Sequence, residues 1–413
     1  MKVLFINSVY GRGSTGRIVS ELGDIVEQSG GEYKVAYGRG AKISDEHCYY
    51  IGNKLNVYIH ALLSRITDRA GFYSKRATKK LIRFIREYNP DIIHLHNLHG
   101  YYLNIEILFK YLKEEFRGKV FWTLHDCWAY TGHCVYSDYI GCEKWKTKCF
   151  ACPKKREYPS SFVFDNCKKN YKQKKALFTL LDNLMVVTVS DWLKGEVEQS
   201  FMSKYDVVRI YNGIDRNVFR PVQSDLKERL GIADKFMMLG VSDTWSKRKG
   251  LSYFMKLSQE LKEDEILVMI GFKKQEIDAL PKNIIALERT DSVQKLVEFY
   301  SAADVVLNPS FEETFGLVTA EALSCGTPVI VSNATASPEL VDETCGRIVE
   351  KNDYEGFKHA IAWLKENRLS PEACVKRTEL FDKEKNYQLY IDLYKKVVGE
   401  VKNEQSLRVN FLV

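Results

Sequence analysis

The chain has 413 residues, 45% of them hydrophobic, which is enough for two domains of roughly 200 residues with separate cores and excludes a single small domain. No run reaches the roughly 18 uninterrupted apolar residues of a membrane span, and Met1-Lys-Val-Leu-Phe-Ile6 is too short and apolar for a signal peptide, so a cytoplasmic protein is expected. The formal charge of +7 is uneven: residues 1–200 carry 31 Lys/Arg against 21 Asp/Glu, and residues 201–413 carry 30 against 33, so the first half favours an acidic surface or substrate.

The first half alternates apolar strands with amphipathic helices. Strands are expected at 2–7, 33–37, 92–96, 119–124 and 184–189, and helices near 16–28, 55–67, 74–88 and 104–115, which is a doubly wound α/β pattern. Between the first strand and helix, Gly11-Arg-Gly-Ser-Thr-Gly16 is a literal G-x-G-x-x-G. Its glycines begin four residues after the strand, and the second strand does not end in the acid that would hold a ribose, which argues against a dinucleotide fingerprint. The stretch Arg65 to Arg86 interleaves Leu81, Ile82 and Phe84 with a dense set of cations. It fits either an anionic membrane at the inner face of the cell or a solvated helix face. Lys168 to Lys175 is a second basic patch, read as a solvated helix start.

His94, His96 and His99 end the third strand, read as packing with a Zn site as the alternative, and His125 and Asp126 end the fourth, at the carboxyl edge where α/β sheets bind ligands. Beyond them, Cys134, Cys142, Cys149 and Cys152 lie in a loop rich in Gly, Lys and aromatics (127–153) and close with one C-x-x-C knuckle. Four thiols there could hold a structural Zn, with Cys127 or His133 as other ligands, or stay as free buried thiols.

A second series of strands is expected at 207–211, 236–240, 266–271, 284–287, 305–307 and 329–331, with helices such as 249–261 and 292–301. The boundary falls near 200–220, where Asn212-Gly213 supplies turn chemistry. Lys247, Arg248 and Lys249 stand at the start of a helix, where cations oppose the dipole unless an anion binds. No D-x-D metal motif is present. Farther on, Asn308 to Leu340 places Glu313 and Glu321 eight positions apart around a strand-to-helix turn, Phe315-Gly316-Leu317, whose open backbone N–H groups favour an anion.

From Pro309 to Ile330 the chain resembles the signature P-S-x-x-E-x-F-G-x-x-x-x-E-A-x-x-x-G-x-P-V-I of the retaining, GT-B-fold glycosyltransferases of family 4. Tyr211-Asn-Gly-Ile-Asp-Arg-Asn-Val-Phe-Arg-Pro221 and Val189-Ser-Asp-Trp-Leu193 are similar to further segments of that family. The resemblance implies two Rossmann-like domains facing across a cleft: 1–200, carrying the Cys-rich insertion and completed by the C-terminal helix 383–413, and a nucleotide-sugar-binding domain, 201–382. It implies a hexosyl transfer from a UDP- or GDP-sugar to a glycan or lipid-linked acceptor in surface polysaccharide synthesis, with no cofactor for catalysis and no nucleic acid partner. By resemblance Glu321 holds the ribose, Lys249 with Arg248 and the backbone of Phe315, Gly316 and Leu317 the diphosphate, and Glu313 the sugar hydroxyls. Gly16 lies beside the donor phosphate and His125 at the sugar. The family's usual Arg is replaced here by Asp243. Two rival readings stay open at this point: a nucleotide-sugar epimerase or phosphorylase of the same architecture, and a Zn-knuckle nucleic-acid binder.

Overall fold

The computed structural model describes the backbone of residues 1–410 and the side chains of residues 1–399. The chain divides into two compact units, residues 1–210 with the C-terminal residues from 386 on, and residues 211–385.

The first unit is built on one seven-stranded sheet: β1 (Lys2–Asn7), β2 (Glu32–Tyr37), β3 (Cys48–Tyr50), β4 (Ile92–Leu95), β5 (Lys119–Leu124), β6 (Leu184–Thr188) and β7 (Val207–Arg209). The order is β3-β2-β1-β4-β5-β6-β7, and every pairing is parallel. Parallel strands covered on both faces read as near-continuous apolar runs, which is why β1, β4 and β5 stand out in the sequence. Val3 and Phe5 of β1 pack with Ile18 and Leu22 of the helix Gly13–Gln28 and with Tyr390, Ile391 and Tyr394 of the helix Lys383–Asn410. Positions 411–413 of the expected segment 383–413 lie outside the described residues.

One expected strand belongs to the other sheet, and one strand has no counterpart among those expected. The strand expected to open the second domain, 207–211, is instead β7, paired with β6 through Val186↔Val207 and Thr188↔Arg209. The short β3 joins the opposite edge, where its three half-buried residues carry no apolar run to mark it.

The second unit holds β8 (Phe236–Val241), β9 (Glu265–Ile270), β10 (Ile284–Leu287), β11 (Val305–Asn308), β12 (Val329–Asn333) and β13 (Gly346–Glu350). Their order is β10-β9-β8-β11-β12-β13, again all parallel. Strand order reverses between β8 and β11, and in the first unit between β1 and β4; ligands of open α/β sheets bind beyond the carboxyl ends of such strands. The helix expected at 249–261 spans only Leu251–Ser258, so Lys247, Arg248 and Lys249 belong to the turn before it. Among the described residues no helix is long and apolar enough to cross a membrane.

Candidate functional site

In the second unit, the loops leaving β8 and β11 at the switch point are joined residue by residue. The Phe311 N–H donates to the Arg248 carbonyl at 2.9 Å, and Arg248 Nη1 donates to the Glu312 carbonyl at 2.8 Å. Gly250 makes this approach possible: its φ is +72°, and a Cβ built there would stand 2.5 Å from the Pro309 carbonyl oxygen. A side chain at 250 would push the two loops apart.

The contact brings Lys249 Nζ to 2.5 Å from Glu313 Oε1. Burial alone would raise the Glu313 carboxyl, but Lys249 and Arg248 outweigh it and hold the group below its ordinary value, so it is an anion at neutral pH. Thr335 fixes the Glu313 backbone from both sides: its hydroxyl accepts from the Glu313 N–H at 2.8 Å and donates to the Glu313 carbonyl at 2.7 Å.

Glu321 lies in the helix Leu317–Ser324, nearly buried, and Oε2 accepts a hydrogen bond from the Tyr300 hydroxyl at 3.0 Å. The helix follows Gly316, whose φ of +105° suits only glycine. Phe315 turns its ring inward against Tyr211 and Phe381, so only its backbone is available to a ligand. Asp243, which stands where the resemblance expects a cation, forms an ion pair with Arg289. A polar pocket in the same unit, lined in part by Asp215, Arg216, Arg220 and Lys383, contains none of the expected donor residues. Two of its cations are matched by acids, Lys383 by Asp215 at 2.6 Å and Arg216 by Asp382 at 3.7 Å.

In the first unit, β4 and β5 deliver a buried histidine array. His94 contacts the Tyr394 hydroxyl at 2.5 Å and the Thr123 hydroxyl at 2.7 Å. His96 Nδ1 lies 2.9 Å from His125 Nε2. Burial lowers the His125 pKa to about 4 and takes His96 well below its usual value, so both rings are neutral at physiological pH. Nε2 of His96 is buried with no hydrogen-bond partner. An orphaned buried N–H is the costlier alternative, so the His96 proton belongs on Nδ1, donated to His125 Nε2, and His125 carries its own on Nδ1. Asp126 is occupied separately, accepting from the Trp128 N–H at 2.8 Å and lying 2.7 Å from His99 Nε2.

Gly16 sits in the first turn of the helix Gly13–Gln28, where its carbonyl accepts from the Gly11 N–H at 3.1 Å. An added Cβ would crowd Val9 Cγ2 at 3.2 Å, so the small residue serves the fold of its own loop.

Among the described residues no group of three or more His, Cys, Asp or Glu side chains is placed to hold a metal ion, so the geometry lends no support to the Zn site expected of Cys134, Cys142, Cys149 and Cys152. The Cys152 thiol interacts with that of Cys134, and Cys149 Sγ accepts from the Gly132 N–H at 3.2 Å. The loop is braced instead by Lys174, read from sequence as part of a solvated patch. Its ammonium is buried, donates to the Trp128 and Thr131 carbonyls at 2.7 and 3.1 Å, and lies 3.4 Å from the Trp128 ring centroid.

Two family models match the chain: Glycosyltransferase Family 4 over residues 15–218, and Glycosyl transferases group 1 over residues 234–367. The chain belongs to the group 1 glycosyltransferases of the family 4 type. The glycosyl transferase WcaC of Escherichia coli (strain K12), named for colanic acid biosynthesis, is 26% identical over 380 residues, 86% of this chain and 88% of that protein. A D-inositol 3-phosphate glycosyltransferase of Mycobacterium sp. (strain JLS) is 31% identical over 173 residues, 38% of this chain and 39% of that protein. Among solved structures, sucrose-phosphate synthase of Thermosynechococcus elongatus superposes with a TM-score of 0.71 at 17% identity, covering 97% of this chain and 99% of that one. Anabaena HepE, solved in complex with UDP-glucose, gives 0.64 at 17% identity, covering 96% and 100%. These likenesses establish the GT-B fold of two parallel-sheet α/β units.

In this glycosyltransferase, sequence reasoning did not connect the site residues with the side chains that hold them: Tyr300 on Glu321, Thr335 on Glu313 and His96 on His125. None has a spacing signal, because each sits 21 to 29 positions from its partner on a different element. His96 alone was flagged, as packing at a strand end.

Proposed function

We propose that this glycosyltransferase moves a hexosyl group, with retention, from a UDP- or GDP-sugar to a glycan or lipid-linked acceptor in surface polysaccharide synthesis. The observation that carries the reading is the Lys249–Glu313 contact at the switch point between β8 and β11. In the reaction the bond from the sugar C1 to the diphosphate oxygen breaks with its electron pair leaving on the diphosphate, and a bond from C1 to an acceptor hydroxyl oxygen forms as that hydroxyl's proton passes to the released nucleoside diphosphate or to water. Lys249 and Arg248, with the backbone N–H groups of 315–317, neutralise charge developing on the departing diphosphate, the part a metal ion plays in other designs.

Glu313 accepts from the sugar hydroxyls, and its anionic state suits that task. Glu321, oriented by Tyr300, takes the ribose hydroxyls. Gly16 and His125 belong to the first unit, and it is the family resemblance that assigns them to the donor phosphate and the sugar. The UDP-glucose complex of HepE supports the donor class, and the name of WcaC supports the polysaccharide role. Ten free thiols fit the reducing cytoplasm in which the reading places the enzyme. The test is nucleotide release over a panel of UDP-, GDP- and ADP-sugars. Release above background from a UDP- or GDP-sugar, lost in Lys249→Ala, is expected; no release from any donor would refute the reading.

A further inference from the structure

The basic stretch from Arg65 to Arg86 does not present the apolar face its sequence suggests. Leu81 and Ile82 are buried in the helix Lys75–Tyr88, and its cations Lys75, Arg76, Lys79, Lys80 and Arg83 form the outer face. The open apolar face belongs to the preceding helix, Lys54–Thr67. Leu55, Tyr58, Ile59, Leu62 and Ile66 follow the i, i+3, i+4, i+7, i+11 rhythm of one helical stripe. They are exposed, Leu55 by 65%, Tyr58 by 71% and Leu62 by 58%. In a helix that packs on a core this stripe would be the buried one.

A second segment widens the same surface. A helix leaves its last carbonyls without partners, and here residues 162–166 take them. The Phe162 N–H donates to the Arg65 carbonyl at 2.7 Å, the Phe164 N–H to that of Ile66 at 3.0 Å, and Asn166 Nδ2 to that of Thr67 at 2.8 Å. Phe162, Val163 and Phe164 are thereby fixed beside Ile66, each more than half exposed. Together the two segments hold eight of the sixteen large apolar side chains that are exposed among the described residues. So dense a patch marks an interaction surface.

We infer that this face, the stripe of helix 54–67 with Phe162–Phe164, docks the enzyme on an anionic lipid bilayer. It rests on the glycosyltransferase reading only in naming the lipid-linked acceptor's surface as the place of work. Charge selects the occupant. Between positions 47 and 86 the only acid is Asp68, and it is buried, whereas Lys54, Arg65, Lys75, Arg76, Lys79 and Lys80 are exposed; beside the second segment the exposed Asp165 is engaged by the Cys152 and Cys167 N–H groups. A second copy meeting this face through a two-fold axis would set like charges against one another. An anionic bilayer offers acyl chains to the stripe and opposite charge to its cationic border.

The test is co-sedimentation with phosphatidylglycerol/phosphatidylcholine vesicles and with vesicles of phosphatidylcholine alone. We expect binding to the anionic vesicles that weakens with NaCl, a loss of at least tenfold in Tyr58→Ser/Leu62→Ser, and a smaller loss in Lys79→Gln/Lys80→Gln. All four side chains are exposed, so the thermal melts should match wild type. Nucleotide release from the donor, measured without vesicles on the same preparations, should be unchanged in the serine variant. Its absence in wild type would count against the transferase and leave the membrane result standing. The inference is overturned if wild type does not sediment with anionic vesicles, if the serine variant sediments equally, or if that variant instead abolishes a dimer of wild type in solution.

Discussion

Gly250→Ala tests the joint between the β8 and β11 loops without touching a charged group. The substitution adds one methyl at φ +72°, and that methyl meets the Pro309 carbonyl oxygen at 2.5 Å and Pro309 Cγ at 2.6 Å. Holding a non-glycine residue in left-handed backbone costs about 1–2 kcal/mol, and forcing the overlap apart costs about 1–3 kcal/mol more. Gly231 provides the control, since its φ is +69° but a Cβ there meets nothing within 4 Å. Gly231→Ala should therefore lose only the backbone term, about 2–8 °C in Tm for a unit of this size, and Gly250→Ala clearly more. Because Lys249 moves with the turn, a displacement near 1 Å should also reduce kcat/KM about 100-fold, while Gly231→Ala keeps wild-type turnover. Thermal melts and donor turnover on both variants decide the matter. Equal stability losses, or wild-type turnover in Gly250→Ala, would refute the account of the joint.

Other consequences can be checked in the same way. His96→Leu removes the N–H given to His125 and should lower kcat/KM about tenfold, the equivalent of a lost hydrogen bond near 1.4 kcal/mol. His96→Asn places an amide N–H near Nδ1 and should restore much of the rate, so equal rates in the two variants would discard the tautomer assignment. Lys174 has its pKa lowered by burial to about 7 against 10.5 in the open chain. Between those values the unfolded state binds the extra proton, so wild-type stability should rise with pH by up to about 1.4 kcal/mol per unit relative to Lys174→Met. Parallel stability curves from pH 7.5 to 9 would contradict it. The Glu313 carboxyl is depressed below 4.5, so what it contributes is complete above that value and is lost as pH falls through the lower folded pKa. The stability gap between wild type and Glu313→Gln should be flat from pH 7 to 5 and narrow below 4.5; a gap that closes already at pH 6 would be inconsistent.

The parallel strands were legible because burial on both faces writes them as apolar runs, as in β5 and β12. What the pattern cannot carry is partnership. Val207-Val-Arg209 reads as a strand in either domain, and only its register with β6 assigns it to the first sheet. The edge strand β13, Gly346–Glu350, alternates buried and exposed positions too briefly to be seen. At the site, Glu313 and Lys249 were each visible in a motif, yet their contact spans 64 positions and follows from the loops' approach at Gly250. Lys174 misled because composition counts it with its solvated neighbours, while two carbonyls and the face of Trp128 make burial tolerable. The cationic helix misled for the opposite reason: its apolar residues are spent on the core, and the exposed stripe lies one helix earlier.

The central claim is that Lys249 and Glu313 form the donor end of a glycosyltransferase site. Its most direct test is nucleotide release from UDP- and GDP-sugars by wild type, Lys249→Ala and Glu313→Ala, with binding of the free nucleoside diphosphate measured by calorimetry on each. The account predicts turnover in wild type and a loss of at least 100-fold in kcat/KM in both variants, with nucleoside diphosphate affinity reduced in Lys249→Ala and retained in Glu313→Ala. Undiminished turnover in either variant, or no binding of a nucleoside diphosphate by wild type, would contradict it.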